Sequence, residues 1–390
     1  MNLFLFLKQI ADMLYTWHFL DYGMVLFAGF MLVYQVILVH SSPKNLVLAD
    51  YLVLALVALA VISGLITLEG YDVFFKVLSA YMVYFVGRVY AERIEECTSA
   101  PVWGAYLVIW LNFIHRLWRY KGLFQHMDNN GEFYYFKTDL TFAMLAGAVF
   151  IAIWGKNRIL KWVTLLFVVP YMTLYSLSRS GWAMIVPLYF ILICYFIEKI
   201  RGERLRVSRP LLLGGFFALV LMALMAIAYY AMILPEFSIA GLQAHFAKTR
   251  GVLHTRGEIW PILWESLIHM PWLNRIFGAG WVGDTLLLIP YDKPANESHS
   301  LYMKLLFSTG FLGIAVFAAF SVYLFLLIRK LENRKLFYLL CSLWFLFLGF
   351  GITYSSITSV QMSWFPFLFA GMAVSELIQQ EKADGDDQSE

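Results

Sequence analysis

The sequence predicts an all-α polytopic membrane protein with about 12 transmembrane helices. Two observations carry this. Hydrophobic residues make up 61% of the 390-residue chain and charged residues only 14%, a balance that would leave a soluble domain of this size with apolar surface it could not bury. The apolar residues also gather in runs of roughly the ~20 residues needed to cross a bilayer as a helix.

The elements follow in order. The opening MNLFLFLKQIADML lacks a basic n-region and a small-residue cleavage site, so it reads as a retained segment rather than a signal peptide. Residues 3–19 are a candidate first span, weakened by Lys8 and Asp12. Further spans are expected near 22–40, 46–68, 73–90, 101–115, 139–154, 162–178, 181–197, 211–234, 301–328, 336–354 and 364–378. No internal repeat is evident. Cys97, Cys194 and Cys341 lie far apart, without metal-ligand spacing, and read as small buried hydrophobes.

Orientation follows from lysine and arginine in short loops. The basic stretches 155–161, 198–209 and 329–335, with Arg88 and Arg93, are expected on the cytoplasmic side. Residues 1–378 then form one membrane domain, with an external loop at 235–300 and a disordered cytoplasmic tail at 379–390. Asp384-x-Asp386 has the form of a metal-dependent sugar-transferase motif. It lies in a polar terminus suited to disorder, and no metal site is expected there.

Three side chains stand out on the expected outer face. Arg179, in SLSRSGW, precedes a span that begins there, so helix N–H groups and a guanidinium would face an anion together. The plainer alternative is an interfacial arginine that snorkels. Arg256 repeats the arrangement. It opens a short interfacial helix expected at about 258–270, with Thr255 and Glu258 as a capping box, Pro261 favouring a slightly later start and Pro271 an end. The tryptophans of that helix read as interfacial anchors. His299 lies at the mouth of the next span, where Asn296 and Ser298 are good caps. A neutral imidazole there can accept a proton, which makes it a candidate general base. Two guanidiniums suit a diphosphate, and a histidine suits an incoming hydroxyl.

These residues also carry a resemblance. His299-Ser300, nine residues, Gly310, two residues and Gly313 resemble the histidine motif of bacterial O-antigen ligases, in which His is followed by Asn, Ser or Gln, then nine residues, Gly, two residues, and Gly, Thr or Tyr. SLSRSGW and TRGEIW resemble the family's two arginine motifs, which related O-antigen and exopolysaccharide polymerases share. The resemblance covers about 130–375. It implies a GT-C-like glycosyltransferase arrangement, with a large periplasmic loop before a late span and a periplasmic active site in the bacterial inner membrane. The implied reaction moves a glycan from undecaprenyl diphosphate to a sugar hydroxyl of the lipid A core with inversion, using neither metal nor cofactor. Arg179 and Arg256 would bind the diphosphate and His299 would deprotonate the acceptor. Gly310 and Gly313 would allow close helix packing.

Arg116, Arg119 and Lys121, with Lys248 and Arg250, would be basic residues on the outer side. For the first three, either they contact phosphate or anionic core sugars, or the span before them ends elsewhere; the other two have a similar status. Asp284, Asp292 and Glu297 are candidates to orient the histidine or bind sugar, and their spacing singles out none of them. The expected partners are the lipid-linked donor, the lipid A–core acceptor and membrane lipids, not nucleic acid. A polymerase is the nearest rival. A lipid-linked glycan transporter is a further one, disfavoured by span centres that look nearly free of charge.

Overall fold

The computed structural model describes residues 1–14, 18–38, 46–67, 70–90, 99–123, 132–134, 136–176, 178–201, 256–291 and 297–386. No strand occurs among them. In chain order the helices are α1 (Asn2–Met13), α2 (His18–Val33), α3 (Leu48–Ile66), α4 (Tyr71–Tyr90), α5 (Ser99–Tyr120), α6 (Lys137–Trp154) and α7 (Arg158–Tyr175). After them come α8 (Arg179–Arg201), α9 (Arg256–His269), α10 (Trp272–Phe277), α11 (Gly283–Leu288), α12 (Leu301–Ile328), α13 (Arg334–Gly351) and α14 (Val360–Asp386).

Among the described residues seven helices, α3, α4, α6, α7, α8, α12 and α13, are long and apolar enough to cross a membrane. This is fewer than the twelve spans expected. The expected span at 211–234 lies outside the described residues. α1 has 12 residues, about 18 Å of helix against about 30 Å of hydrocarbon, so it does not reach across by itself. α5 and α14 are long enough but carry more polar and aromatic side chains. α14 is buried along nearly all of 360–377, so its neighbours, not lipid, set the composition it tolerates.

Local chemistry explains several boundaries. Asn157 and Asn333 cap α7 and α13 by accepting from the N–H groups of Leu160 at 3.0 Å and Leu336 at 3.2 Å. Within α7, residues Thr164–Val168 widen into a π-turn just before Pro170, which has no N–H to give the preceding turn. Lys121 follows α5 with φ 52°, a left-handed C-terminal residue. α14 continues through Asp386, so residues 379–386 of the tail expected to be disordered are helical, and 387–390 lie outside the described residues. Extending an existing helix avoids the cost of nucleation, and Glu381 on it meets Lys330 at 3.8 Å.

The core is built on α4 and α14, which run parallel and touch through glycine. A Cβ on Gly87 would lie 2.0 Å from the Leu368 carbonyl, and one on Gly371 2.0 Å from the Tyr84 carbonyl. One end of this pair is clamped by charge. Arg88 donates from Nε and Nη2 to the two oxygens of buried Asp50 at 2.8 and 3.0 Å, and Tyr84 Oη donates to Asp50 at 2.8 Å. At that end Arg334 pairs with Glu198 at 2.5 Å, and Lys161 stacks on Phe196. The described parts of the basic stretches expected on one side, 155–161, 198–201 and 329–335 with Arg88, therefore share one end of the bundle, while Arg93 and 202–209 lie outside the described residues.

α12 is broken. Gly310 has φ 70° and ψ −170° within it, and a Cβ there would lie 2.1 Å from the Ile276 carbonyl of α10. A break inside a membrane frees backbone carbonyls that lipid cannot satisfy. Here Phe307 O accepts from the Ala279 N–H at 2.7 Å and Ser308 O from Ser63 Oγ at 2.6 Å. Gly278, with φ 87° and in the same segment as Ala279, sits against Ser308. Gly310 is therefore a backbone requirement, not only a packing position. Gly313 differs, since a Cβ there would first meet the side chain of Thr309.

Gly310→Ala is expected to destabilise the protein by at least ~2 kcal/mol, from the positive φ and the carbonyl clash. Gly313→Ala should cost less. Unfolding in mixed micelles would read the difference.

Candidate functional site

The end of the bundle opposite the Arg88 clamp gathers many helix termini. α4, α6, α8, α12 and α14 begin there and α13 ends there. The short α13–α14 connection, 352–359, is the hub. Thr353 Oγ1 lies 2.5 Å from Ser180 Oγ at the start of α8. The Tyr354 carbonyl accepts from the Leu301 N–H at the start of α12 at 3.0 Å. Tyr354 Oη donates to Asp139 Oδ2 at 3.4 Å in the first turn of α6.

His299 lies in the loop that enters α12. Its φ is 47°, a left-handed conformation that is uncommon for a residue with a side chain. The neighbours hold it there. The Ser298 N–H donates to Asp284 Oδ2 at 2.9 Å, the Ser298 carbonyl accepts from Trp260 Nε1 at 2.9 Å, and Ser300 Oγ donates to the Gly351 carbonyl at 3.3 Å. The imidazole is about one-quarter exposed, and its Nδ1 is 3.0 Å from Glu297 Oε1.

The acidic candidates now separate. Glu297 touches the histidine. Asp284 does not: its carboxylate lies beneath the loop, fully buried, with Oδ1 accepting from Lys304 Nζ at 2.7 Å. Lys304, 2% exposed, had not been singled out. The signal in the sequence was a lysine in the second turn of an otherwise apolar span, which needs a partner. Asp292 lies outside the described residues.

Arg179 is half-buried in the first turn of α8, one residue from the Ser180–Thr353 contact. That turn is partly satisfied from within, because Ser178 Oγ accepts from the Gly181 N–H at 3.3 Å. Arg256 opens α9. The helix starts there although Pro261 lies past its first turn, so of the two starts expected it takes the earlier. Burial of Ile259, Leu263 and Leu267 against Leu288, Leu306 and Phe307 outweighs the missing N–H. Trp264, Ile268 and Trp272 are exposed, as suits interfacial anchors. Trp260 departs from that pattern by bonding the His299 loop. The chain thus brings the Arg179, Arg256 and His299 elements to one end of the fold.

Arg116 and Arg119 lie within α5, which extends beyond the expected end at 115 to Tyr120. Arg116 is buried, with Glu132 at 3.3 Å and the Tyr175 carbonyl at 3.3 Å, and His115 Nδ1 meets the other oxygen of Glu132 at 2.6 Å. Of the two alternatives expected for Arg116, the helix end at Tyr120 fits the second, a span that ends elsewhere, and its guanidinium serves a buried carboxylate. Arg119 and Lys121 are exposed. Lys248 and Arg250 lie outside the described residues. Cys194 is buried and Cys341 half-buried, both as free thiols; Cys97 is outside the description.

A cavity of about 150 Å³ opens beside this hub, lined by Lys76, Asp139, Glu297, Tyr354, Ser355 and Gln361 among others. A smaller one of about 20 Å³ adjoins it through Gln361 and reaches Gln9, Asp12 and Tyr134. Burial pushes the Tyr134 phenol well above its ordinary value, and the nearby Asp12 and Asp139 push the same way, so it stays a neutral donor. Asp12 pairs with Lys8 inside the bundle, and Lys8 lies 4.9 Å from the Trp364 ring. With Arg116–Glu132 and Lys304–Asp284, this shows more buried charge than the sequence suggested.

The fold and the polar end define an all-helical, membrane-embedded protein. No protein-family model matches the chain, and no curated protein matches it.

Asp284→Asn leaves the buried Lys304 ammonium without its counter-charge, and a loss of about 3–5 kcal/mol in unfolding free energy is expected. Adding Lys304→Met should recover much of it. A double-mutant cycle by chemical unfolding would measure the coupling.

Proposed function

We propose that the chain is an O-antigen ligase of the bacterial inner membrane, with about twelve spans in a GT-C-like arrangement and a periplasmic active site. It transfers a glycan from undecaprenyl diphosphate to a sugar hydroxyl of lipid A–core. The observation that carries the reading is the His299 loop. The histidine that heads the His-Ser-x9-Gly-x2-Gly spacing is also the one held in a left-handed conformation beside Glu297, at the end where the arginine-bearing helices begin.

The chemistry follows from that arrangement. The Glu297 carboxylate beside Nδ1 favours the tautomer protonated there, leaving Nε2 as an acceptor. Nε2 takes the proton of the acceptor hydroxyl as its oxygen attacks the anomeric carbon. The bond from that carbon to the diphosphate oxygen breaks on the opposite face, so the configuration inverts. The lipid diphosphate leaves with the electron pair, held by Arg179 and Arg256. The energy is in the donor, and no metal or nucleotide enters. Arg119 and Lys121, both exposed, are the candidates to meet anionic core sugars.

A polymerase joining repeat units on the same carrier would use the same groups with a different acceptor, and the spacing after His299 favours the ligase. The Lys8–Asp12 pair within the bundle is the feature that would suit a transporter instead. Reconstitution with lipid-linked glycan and two acceptors separates the three. Labelled lipid A–core indicates ligase, a longer lipid-linked chain indicates polymerase, and movement of donor across the bilayer without a new bond indicates transporter.

Arg179→Ala, Arg256→Ala and His299→Ala are each expected to insert normally and to lower glycan transfer by ~100-fold or more. His299→Gly should lose transfer equally. Because glycine relieves the left-handed strain, its unfolding midpoint should be no lower than the parent's, and that of His299→Ala should fall below both. Full transfer by His299→Ala would remove the general-base role.

A further inference from the structure

The 150 Å³ cavity has chemistry of its own. A volume of this order holds one six-membered ring in a protein interior, about 150 Å³ for a benzene site. Two of the residues that line it, Gln361 and Ser355, each carry a polar atom, Nε2 and Oγ, that is closed off in the empty protein and has no hydrogen-bond partner among the described residues. Gln361 is 6% exposed and Ser355 2%. The Gln361 amide is fixed in direction, because its Oε1 accepts from Ser359 Oγ at 2.8 Å. A buried donor left unmet is a standing cost in the empty protein, removed when a ligand accepts from it.

The other wall groups narrow the ligand. Asp139 and Glu297 supply carboxylates, while Lys76 lies 3.4 Å from Asp72 on its own helix. Two carboxylates against one such lysine repel a diphosphate and accept from hydroxyls. The rings of Phe136 and Tyr354, 6.4 Å apart at 72°, give part of the wall an apolar face. A pyranose matches this set, with hydroxyls that donate to carboxylates and accept from Gln361 and Ser355, and with C–H faces for the rings. Glu297 also touches His299, so a hydroxyl held here lies next to the proposed base.

We propose that this cavity seats one neutral sugar ring, that of the acceptor, and that Gln361 and Ser355 are specificity-determining contacts to its hydroxyls. The proposal rests on the ligase reading for the word acceptor, and on the cavity alone for the sugar ring.

The test uses the full-length protein in nanodiscs, with Gln361→Met and Ser355→Ala. Saturation-transfer NMR with D-glucose as the probe, and inorganic diphosphate as the control, reads the cavity without catalysis. D-glucose binding to the parent, lost in Gln361→Met while diphosphate is unaffected, is expected. In transfer assays each variant should raise KM for lipid A–core about tenfold, a factor in keeping with one lost hydrogen bond. KM for the donor and kcat should be little changed. The unfolding midpoint should hold or rise, because an apolar isostere removes an unmet donor; a purely structural glutamine would lower it.

No D-glucose binding to the parent would overturn the proposal, as would an unchanged acceptor KM in Gln361→Met. A rise in donor KM instead would place the donor's sugar here and overturn the acceptor assignment. If the parent binds D-glucose but glycosylates no lipid A–core, the ligase reading falls and the sugar site stands.

Discussion

The buried carboxylate of Asp284 is the constraint on which the polar end of the molecule depends. One oxygen holds the Lys304 ammonium within α12 and the other holds the Ser298 N–H of the preceding loop. Neither charge can be left unpaired in an interior of low dielectric. The pair therefore fixes where α12 begins relative to α11. With the loop pinned on one side by Asp284 and on the other by the Tyr354 carbonyl at Leu301, His299 has little choice but its left-handed conformation. Strain of that kind persists only where the surroundings over-determine it.

The same region solves a second problem of backbone chemistry. α12 breaks at Gly310, and the carbonyls freed by the break are recovered by Ser63 from α3 and by the chain after α10. That recovery needs two backbones in near contact, at Gly278–Ser308 and at Gly310–Ile276, where any side chain would intrude. The upper half of α12 and the short helices α10 and α11 thereby become one unit, beneath the loop that carries His299. The apolar stripe of α9 closes over them.

The two ends of the bundle differ in how fully their polar groups are met. Around Arg88 the charges close on one another, through Asp50, Tyr84 and Ser375. Around His299 the chain keeps a strained histidine, a cavity with two carboxylates among its lining residues and two buried donors without partners among the described residues. Departures from local rules gathered at one place mark where a chain gives up stability for a site. Arg179 and Arg256 open α8 and α9, whereas the cavity is lined by the two carboxylates of Asp139 and Glu297 against the one ammonium of Lys76.

Much of this was legible in the residues. Apolar run length placed the seven helices that are long and apolar enough to cross a membrane, with α12 expected at the residues where it is found, because length and hydropathy are properties of a contiguous stretch. Basic loops sorted to one end, and the histidine and first arginine to the other, since alternation of spans follows from chain order. What the residues left undecided was pairing. Nothing near Asp284 or Glu297 told which would meet the histidine and which a buried lysine. Arg116 read as an outward cation until Glu132 was found against it. Gly310 read as packing until its φ appeared. The Gln361 and Ser355 donors carried no signal at all, because an unmet hydrogen bond depends on what is absent around a group. The sequence by itself determined where the long apolar helices lie and how apolar they are, both set by local composition. Only the tertiary structure decided which charges pair, where the backbone breaks and which polar groups stay open, because each depends on residues far apart in the chain meeting in a medium that tolerates no unmet polar group cheaply.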